Sequence, residues 1–250
     1  MSLTLTPGIY GKLQSHGDFV SRRLPQGFVG PWDEWLQDGI AQSRNVLESA
    51  WAEVYEEAPV WRFLLPGGVC GDEAWAGIVQ PSVDRVGRYF PLTIAAPLPP
   101  ELDIVATFVA AGPWYEAIER EAAAAFDESP SLDELDDALG KLAFPADFLA
   151  PPAVSDDDTL PLGERVFSVI KIALATGSSL DAVKTALGME QVAIRPWDCL
   201  WCNGGTHRIA PALLVTKALP DKKHFCAFLD GRWEEHGWES GARMAAAPSE

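Results

Sequence analysis

The sequence contains no apolar run of about 18 residues, the length that a membrane-spanning helix requires. It also opens without a basic segment followed by an apolar one, so no signal peptide is expected. Basic residues are scarce, since 19 Lys and Arg stand against 36 Asp and Glu, which gives a net charge of −17. Such a surface repels phosphate backbones and anionic lipid headgroups. We therefore expect a cytoplasmic protein that neither binds nucleic acid nor inserts into a membrane.

Common catalytic and metal-binding motifs are missing as well. The chain has no G-x-x-x-x-G-K-[ST], no G-x-G-x-x-G and no H-E-x-x-H. Its four cysteines include one C-x-x-C pair, Cys199 and Cys202, in a strand-like run. Residues three apart on a strand point to opposite faces, so this pair could neither form a disulfide nor chelate a metal. We expect reduced core cysteines, no metal, no cofactor and no enzyme activity.

The residues that are present predict a layered fold. Apolar residues make up 48% of the 250 positions, enough for a sizeable core. Strand-like and helix-like runs interleave, which predicts an α/β or α+β fold, with a central mixed β-sheet covered by helices in an α-β-α sandwich. We expect a single compact domain over residues 1–250. Its N-terminal part (1–145) and C-terminal part (160–240) would share one sheet, joined by the Pro- and Asp-rich segment 145–161.

Local signals predict where several elements lie. Strand-like composition occurs at 9–13, 61–65, 75–79, 92–96, 199–202 and 213–216. Prolines after the fourth of these runs, beginning with Pro97, are expected to end it. Pro31, with acids at 33 and 34, is typical of a helix start. The apolar stripe that follows predicts either one long amphipathic helix or two helices with a break near 43–45. The stripe carries three tryptophans that we assign to the core: Trp32, Trp35 and Trp51.

Three further helical regions are predicted. The first covers 104–126 and is bent or broken at Gly112 and Pro113. The second begins with a capping box, because Ser131 is followed three positions later by Glu134. The third begins after Asp221, whose side chain is suited to capping the first turn.

Two polar segments stand out against this apolar background. One covers 12–23, and the other lies between two predicted strands at 82–89. Packing alone does not require the pattern S-x-D-R-x-x-R in the second segment. It fits either an ion pair of Asp84 with Arg85 or Arg88 that ties down a loop, or a recognition surface. We expect the two segments to lie close together, with eight candidate site residues between them: Lys12, His16, Asp18, Arg22, Ser82, Asp84, Arg85 and Arg88.

His16 and Asp18 allow two interpretations of the first segment. A histidine beside an aspartate could act as a base and its orienting group. The alternative, which we favour, is a polar turn in which Asp18 caps a local backbone N–H. No obvious nucleophile accompanies the pair.

The two segments also carry a family resemblance. G-K-L-Q-S-H-G-D-F-V-S-R at 11–22 and S-V-D-R-V-G-R-Y-F-P-L-T at 82–93, with W-x-x-W-L and A-P-x-W-R-F between them, resemble signature segments of the TagF (ImpM) family. The resemblance covers about the first 100 residues well and the remainder loosely. Gln14 departs from it, since many relatives have proline there. The matching positions are Gly11, Lys12, His16, Gly17, Asp18, Phe19, Ser82, Asp84, Gly87, Arg88, Phe90 and Pro91.

This resemblance implies a function that the residues alone do not specify. TagF proteins are accessory proteins of bacterial type VI secretion and act as post-translational repressors. They are thought to bind the forkhead-associated (FHA) scaffold protein that helps activate the apparatus. Because no D-G-x-x-G phosphatase motif is present, the chain resembles the stand-alone form. The alternative is a small-molecule-binding protein or an enzyme, with an anion site formed by the 12–23 and 82–89 loops and His16 as base.

Overall fold

A computed structural model of the protein describes residues 5–127, 130–151, 169–173 and 197–240. Within these ranges nine strands form one sheet: β1 (Gly8–Gly11), β2 (Val20–Arg22), β3 (Trp61–Leu65), β4 (Ala74–Gln80), β5 (Leu92–Leu98), β6 (Val169–Ala173), β7 (Cys199–Asn203), β8 (Ala212–Thr216) and β9 (Glu239–Ser240). Their order is β2-β1-β5-β4-β3-β7-β8-β6-β9. The β6–β9 pair is parallel and the other pairs are antiparallel, so the predicted mixed sheet is confirmed.

Helices cover both faces of this sheet, as the sequence predicts. They are α1 (Gln26–Leu47), α2 (Trp51–Glu56), α3 (Ile104–Ala110), α4 (Gly112–Asp127), α5 (Leu132–Gly140), α6 (Lys222–Phe225) and α7 (Ala227–Asp230). Residues of α1, α2, α6 and α7 pack in one apolar core, and residues of α3, α4 and α5 in another on the opposite face. Among the helices that the structure describes, none has the length and apolarity that crossing a bilayer would take.

Alternation along the strands divides their side chains between these two cores. On β4, Trp75 and Val79 enter the core under α1, whereas Ala76 and Ile78 enter the core under α4. The same rule separates Cys199 from Cys202, which lie in different cores. All four cysteines are free and buried, so the prediction of reduced core cysteines is confirmed.

Aromatic side chains dominate the core under α1. The ring of Trp32 lies between those of Phe28, Phe63 and Trp201, with centroid separations of 5.3, 4.7 and 6.1 Å. Its indole N–H donates to Thr93 Oγ1 at 2.8 Å, so burial leaves the polar end of the ring satisfied. Trp35 and Trp51 are also buried, which confirms the assignment of the three tryptophans to the core.

The predicted start and break of the first helix were wrong. The helix begins at Gln26, and Pro31 lies inside it rather than at its first position. Burial of Phe28 and Val29 explains the earlier start, because those apolar contacts stabilise a turn that proline alone would not favour. The break lies at Glu48–Ala50 rather than near 43–45. There Glu48 adopts a left-handed φ of 47°, which is incompatible with continuing the helix.

The prediction that Pro97 ends its strand was wrong as well. Pro97 lies inside β5, opposite Trp75 of β4. β1, the other neighbour of β5, pairs only with Leu92 to Ala95. Pro97 therefore has a partner strand on one side only, a position at which a missing N–H costs no ladder hydrogen bond.

The remaining helix signals were confirmed. Helices α3 and α4 meet at Ala111, next to the predicted break. Ser131 and Glu134 form the capping box, and Asp221 Oδ1 accepts backbone hydrogen bonds in the first turn of α6. Residues 152–161 of the predicted connecting segment lie outside the described residues, so its path stays a prediction.

Candidate functional site

The register of the sheet brings the two polar segments together. β1 runs into the 12–19 loop, and the 81–91 loop leads into β5. Because β1 pairs with β5, with Gly11 opposite Leu92, the end of one strand lies beside the start of the other. A Cβ at Gly11 would lie 1.9 Å from the Pro91 carbonyl oxygen, and the φ of Gly11 is +128°. Only glycine therefore permits the close approach of the two loops at this point.

A buried cluster of ion pairs connects the two loops. Asp84 Oδ2 accepts hydrogen bonds from Lys12 Nζ at 2.6 Å and from Arg88 Nε at 2.7 Å. Its other oxygen accepts the backbone N–H groups of Val86 and Arg88 at 3.0 and 2.9 Å. Lys12 and Asp84 are only 4% and 3% exposed. The cluster therefore fixes the 82–89 loop and ties it to the residue that follows β1.

The surroundings of Asp84 keep its carboxylate charged. Burial by itself raises the pKa of the group. The hydrogen bonds from Lys12, from both the backbone and the side chain of Arg88, and from the Val86 backbone outweigh burial and hold the pKa of Asp84 well below its ordinary value. Of the two ion pairs considered from the sequence, the structure forms Asp84–Arg88. Arg85 is exposed, and its backbone N–H donates to the His16 carbonyl at 3.0 Å.

Ser82 also connects the two loops. Its hydroxyl donates to the Lys12 carbonyl at 2.8 Å, and its backbone N–H donates to Tyr55 Oη at 3.1 Å. Ser82 is 2% exposed. The Ser82 side chain therefore connects the two loops, and its backbone connects the second loop to α2.

His16 and Asp18 do not contact each other as a base and its orienting group would. His16 Nδ1 lies 3.0 Å from Ser15 Oγ, whose own proton goes to the Pro130 carbonyl at 2.6 Å. Since that hydroxyl must then accept, Nδ1 donates its proton to Ser15 Oγ and not to Asp18. The Asp18 carboxylate is fully exposed and lies 3.8 Å from Arg88 Nη2.

Arg22 and Arg88 extend the contacts of the two loops in different directions. Arg22 Nη2 lies 3.6 Å from Asp133 Oδ1, which directs this arginine toward α5 and away from Asp84. Arg88 Nη2 donates to the Gly17 carbonyl of the first loop. The structure therefore brings seven of the eight predicted residues into one cluster and places Arg22 at its edge.

Two exposed apolar side chains complete this surface. Among the described residues, only Phe19, Val46 and Val86 are large hydrophobics that are exposed, at 50%, 45% and 64%. The Phe19 ring packs against the Phe90 ring, with centroids 4.8 Å apart. Lys12 Nζ lies 4.5 Å from the centroid of the Phe19 ring. Val86 lies at the tip of the second loop. We define the motif-loop surface as Asp18, Phe19, Arg85, Val86 and Arg88.

Phe19 and Val86 were not among the residues selected from the sequence. Phe19 was noted only as a matching motif position, and Val86 was not singled out. Each is an apolar loop residue that directly follows a charged one, Asp18 or Arg85. That pattern was the available signal, because an apolar side chain on a tight polar turn often has no core to enter.

A family profile and a solved structure both match the chain. The profile described as "TagF N-terminal domain, Type VI secretion system-associated" matches residues 8–149, which include both loops. The crystal structure of PA0076 from Pseudomonas aeruginosa PAO1, solved at 2.05 Å, superposes with a TM-score of 0.69 at 30% sequence identity. That alignment covers 98% of this chain and 99% of PA0076. No curated protein matches the chain.

Proposed function

The chain belongs to the TagF family of type VI secretion system-associated proteins, and from this premise we propose that it is a cytoplasmic, post-translational repressor of that system. In this proposal it acts by binding the forkhead-associated scaffold protein. It would hold the scaffold away from the secretion apparatus, independently of threonine phosphorylation. Its partner in this function is a protein, not nucleic acid or lipid.

The motif-loop surface is the observation that supports this proposal. Phe19 and Val86 expose apolar area beside Arg85 and Arg88, and the buried Lys12–Asp84–Arg88 cluster holds both loops in place. Aromatic and arginine side chains on rigid supports are typical of the residues that dominate protein–protein binding. A surface that is rigid before binding also loses little conformational entropy when the partner docks.

We further propose that the chain acts by binding and not by catalysis. A small-molecule site at the loops would draw on Lys12, Ser82 and Asp84. Those groups instead face one another and are buried. The exposed part of the surface combines two apolar side chains with two arginines and one aspartate, Asp18, which suits a protein partner with apolar and acidic groups.

Binding of the purified scaffold, measured by isothermal titration calorimetry, tests the proposal. We expect Phe19→Ala to weaken binding at least about tenfold, because truncating an aromatic anchor at the centre of an interface typically costs that much. Arg85→Gln should weaken it less. Arg120→Gln is the matched control, because Arg120 is an exposed arginine on α4, over the opposite face of the sheet.

The outcomes test the identity of the partner and the position of the interface separately. If the folded wild type does not bind the scaffold, the proposed partner is wrong. If all three variants bind as the wild type does, the partner is right but the interface lies elsewhere. Thermal melting of each variant verifies that the loss of binding does not reflect unfolding.

A further inference from the structure

A second surface feature lies beside the motif-loop surface. It is an open groove of about 690 Å³ between the 82–89 loop and the end of α1. This volume falls within the range of about 300–1,000 Å³ that ligand sites usually have. The groove is open to solvent, which suits a segment of polypeptide better than an enclosed small molecule. Its lining includes Arg44, Glu48, Ser49, Trp51, Arg88 and Tyr89.

Two aromatic rings of the lining are fixed from outside the groove. Trp51 and Tyr89 meet edge to face, with centroids 5.2 Å apart. The indole N–H of Trp51 donates to Ser43 Oγ at 2.8 Å, and the Tyr89 hydroxyl donates to Glu56 Oε1 at 2.8 Å. Neither Ser43 nor Glu56 lines the groove. Trp51 is only 5% exposed, so its ring supports the lining from within the core, and the half-buried Tyr89 presents the apolar area that a side chain can contact.

Arg44 lies on the Trp51 ring of this lining. Its guanidinium carbon is 4.2 Å from the centroid of the Trp51 ring. Across the described parts of the chain, its side chain makes no hydrogen bond and no ion pair. Stacking fixes the plane of a guanidinium and leaves its N–H groups directed outward, in the fork geometry that matches a carboxylate.

The wall of the groove adds a restriction on what can bind. Glu48, at the break between α1 and α2, has a left-handed φ of 47° and is not glycine. Its carboxylate would repel a run of adjacent acids, because like charges at close range disfavour binding. The groove thus suits a single acidic side chain flanked by apolar ones.

We propose that this groove binds an extended segment of the partner protein, with a carboxylate on Arg44 and an apolar side chain against Tyr89. The inference rests on the proposed function, because Arg88 belongs both to the groove and to the motif-loop surface. One partner can therefore cover both. The positive charges of Arg44 and Arg88 in the groove favour an acidic side chain of a partner protein. A second copy of this chain is disfavoured, because two molecules with a net charge of −17 repel each other.

Calorimetric titration of the scaffold into four proteins tests the inference. They are the wild type, Arg44→Gln, Arg44→Lys and the control Arg120→Gln. We expect about a tenfold loss for Arg44→Gln, because a charge-assisted bidentate pair disappears. Arg44→Lys should lose about threefold, since it keeps the charge but not the fork. Arg120→Gln should bind as the wild type does.

A second probe separates this inference from the proposed function. If the wild type binds the scaffold and Arg44→Gln binds it equally well, the groove is not used and the inference is overturned while the function stands. If the wild type does not bind the scaffold, a fluorescein-labelled peptide with the core Phe-Glu-Phe is compared with Phe-Gln-Phe by fluorescence polarisation. A preference for the glutamate peptide that Arg44→Gln abolishes supports the groove, and equal binding of the two peptides overturns it.

Discussion

At the residue scale, one carboxylate organises the two loops that carry the family motifs. Asp84 satisfies two cationic side chains and two backbone N–H groups at once. A buried charge is tolerated only with such a complete set of partners. The residue therefore explains why the 82–89 loop holds one shape. Lys12 and Asp84, which the sequence allows as parts of a ligand site, instead position the exposed residues of the motif-loop surface.

Replacing Asp84 with Asn should destabilise the protein at neutral pH. The substitution keeps the shape of the side chain but leaves Lys12 and Arg88 without their counter-charge. We expect a clearly lower melting temperature by differential scanning calorimetry. Asp137→Asn is the matched control, because Asp137 is exposed on α5. Equal melting temperatures for the two variants would contradict the structural role of Asp84.

The stability difference between the wild type and Asp84→Asn should also depend on pH. The pKa of Asp84 in the folded protein lies below its ordinary value of 3.8. Its contribution to stability is therefore complete above that value and is lost as the pH falls through the folded pKa. We expect the difference in unfolding free energy between wild type and Asp84→Asn to stay constant from pH 7 to about 5 and to shrink below pH 4. A difference that grew on acidification would have the wrong sign.

At the element scale, α1 depends on a close approach to α6. A Cβ added at Gly39 would lie 2.3 Å from Phe225 Cγ. Phe225 is itself buried, with its ring 5.2 Å from that of Trp35. The ring has little room to move, so the two helices can pack at this distance only because position 39 has no side chain.

Gly39→Ala and Gly27→Ala should therefore change stability in opposite directions. Overpacking at position 39 should lower the free energy of unfolding by about 1–3 kcal/mol. Gly27 lies in the same helix, is not followed by a proline, and a Cβ there would meet no atom of another element within 4 Å. Alanine at position 27 should raise the free energy of unfolding by up to about 0.5–1 kcal/mol through helix propensity. Urea unfolding measures both, and a neutral Gly39→Ala would show that α1 can shift freely.

At the scale of the whole molecule, an excess of negative charge surrounds a locally cationic surface. The net charge of −17 opposes the compact state through self-repulsion. Arg44, Arg85 and Arg88 are all exposed within or next to the 82–89 loop. A partner with acidic groups can therefore bind here, although the molecule as a whole repels acidic proteins.

Moderate salt should stabilise the protein at neutral pH. Raising NaCl from about 20 to 200 mM shortens the Debye length and screens the self-repulsion. We expect the melting temperature at pH 7.5 to rise by a few degrees. The control is the same experiment near the sequence pI of about 4.5, where the net charge is small and the salt effect should largely disappear. A melting temperature that falls with salt at pH 7.5 would show that attractive surface pairs dominate instead.

The sequence by itself determined the features that depend on local periodicity. Alternation along the strands fixed which side chains enter which core, and so separated Cys199 from Cys202. Short-range hydrogen bonding fixed the capping box at Ser131. The family followed from two motifs whose residues can be read directly from the chain. Strand alternation and helix capping are local, because each depends only on the geometry and hydrogen bonds of residues that are near one another in sequence.

Only the tertiary structure decided which polar residues are buried and which apolar ones are exposed. Lys12 and Asp84 are 72 positions apart, and it is the pairing of β1 with β5 that brings them together. The exposure of Phe19 and Val86 depends on the same arrangement. Tertiary packing also overrode a local signal at the start of α1. Burial of Phe28 and Val29 makes the helix begin at Gln26, before the proline that predicts its start. Long-range pairing leaves no periodic trace in the sequence, because its energy belongs to contacts that exist only once the chain has folded.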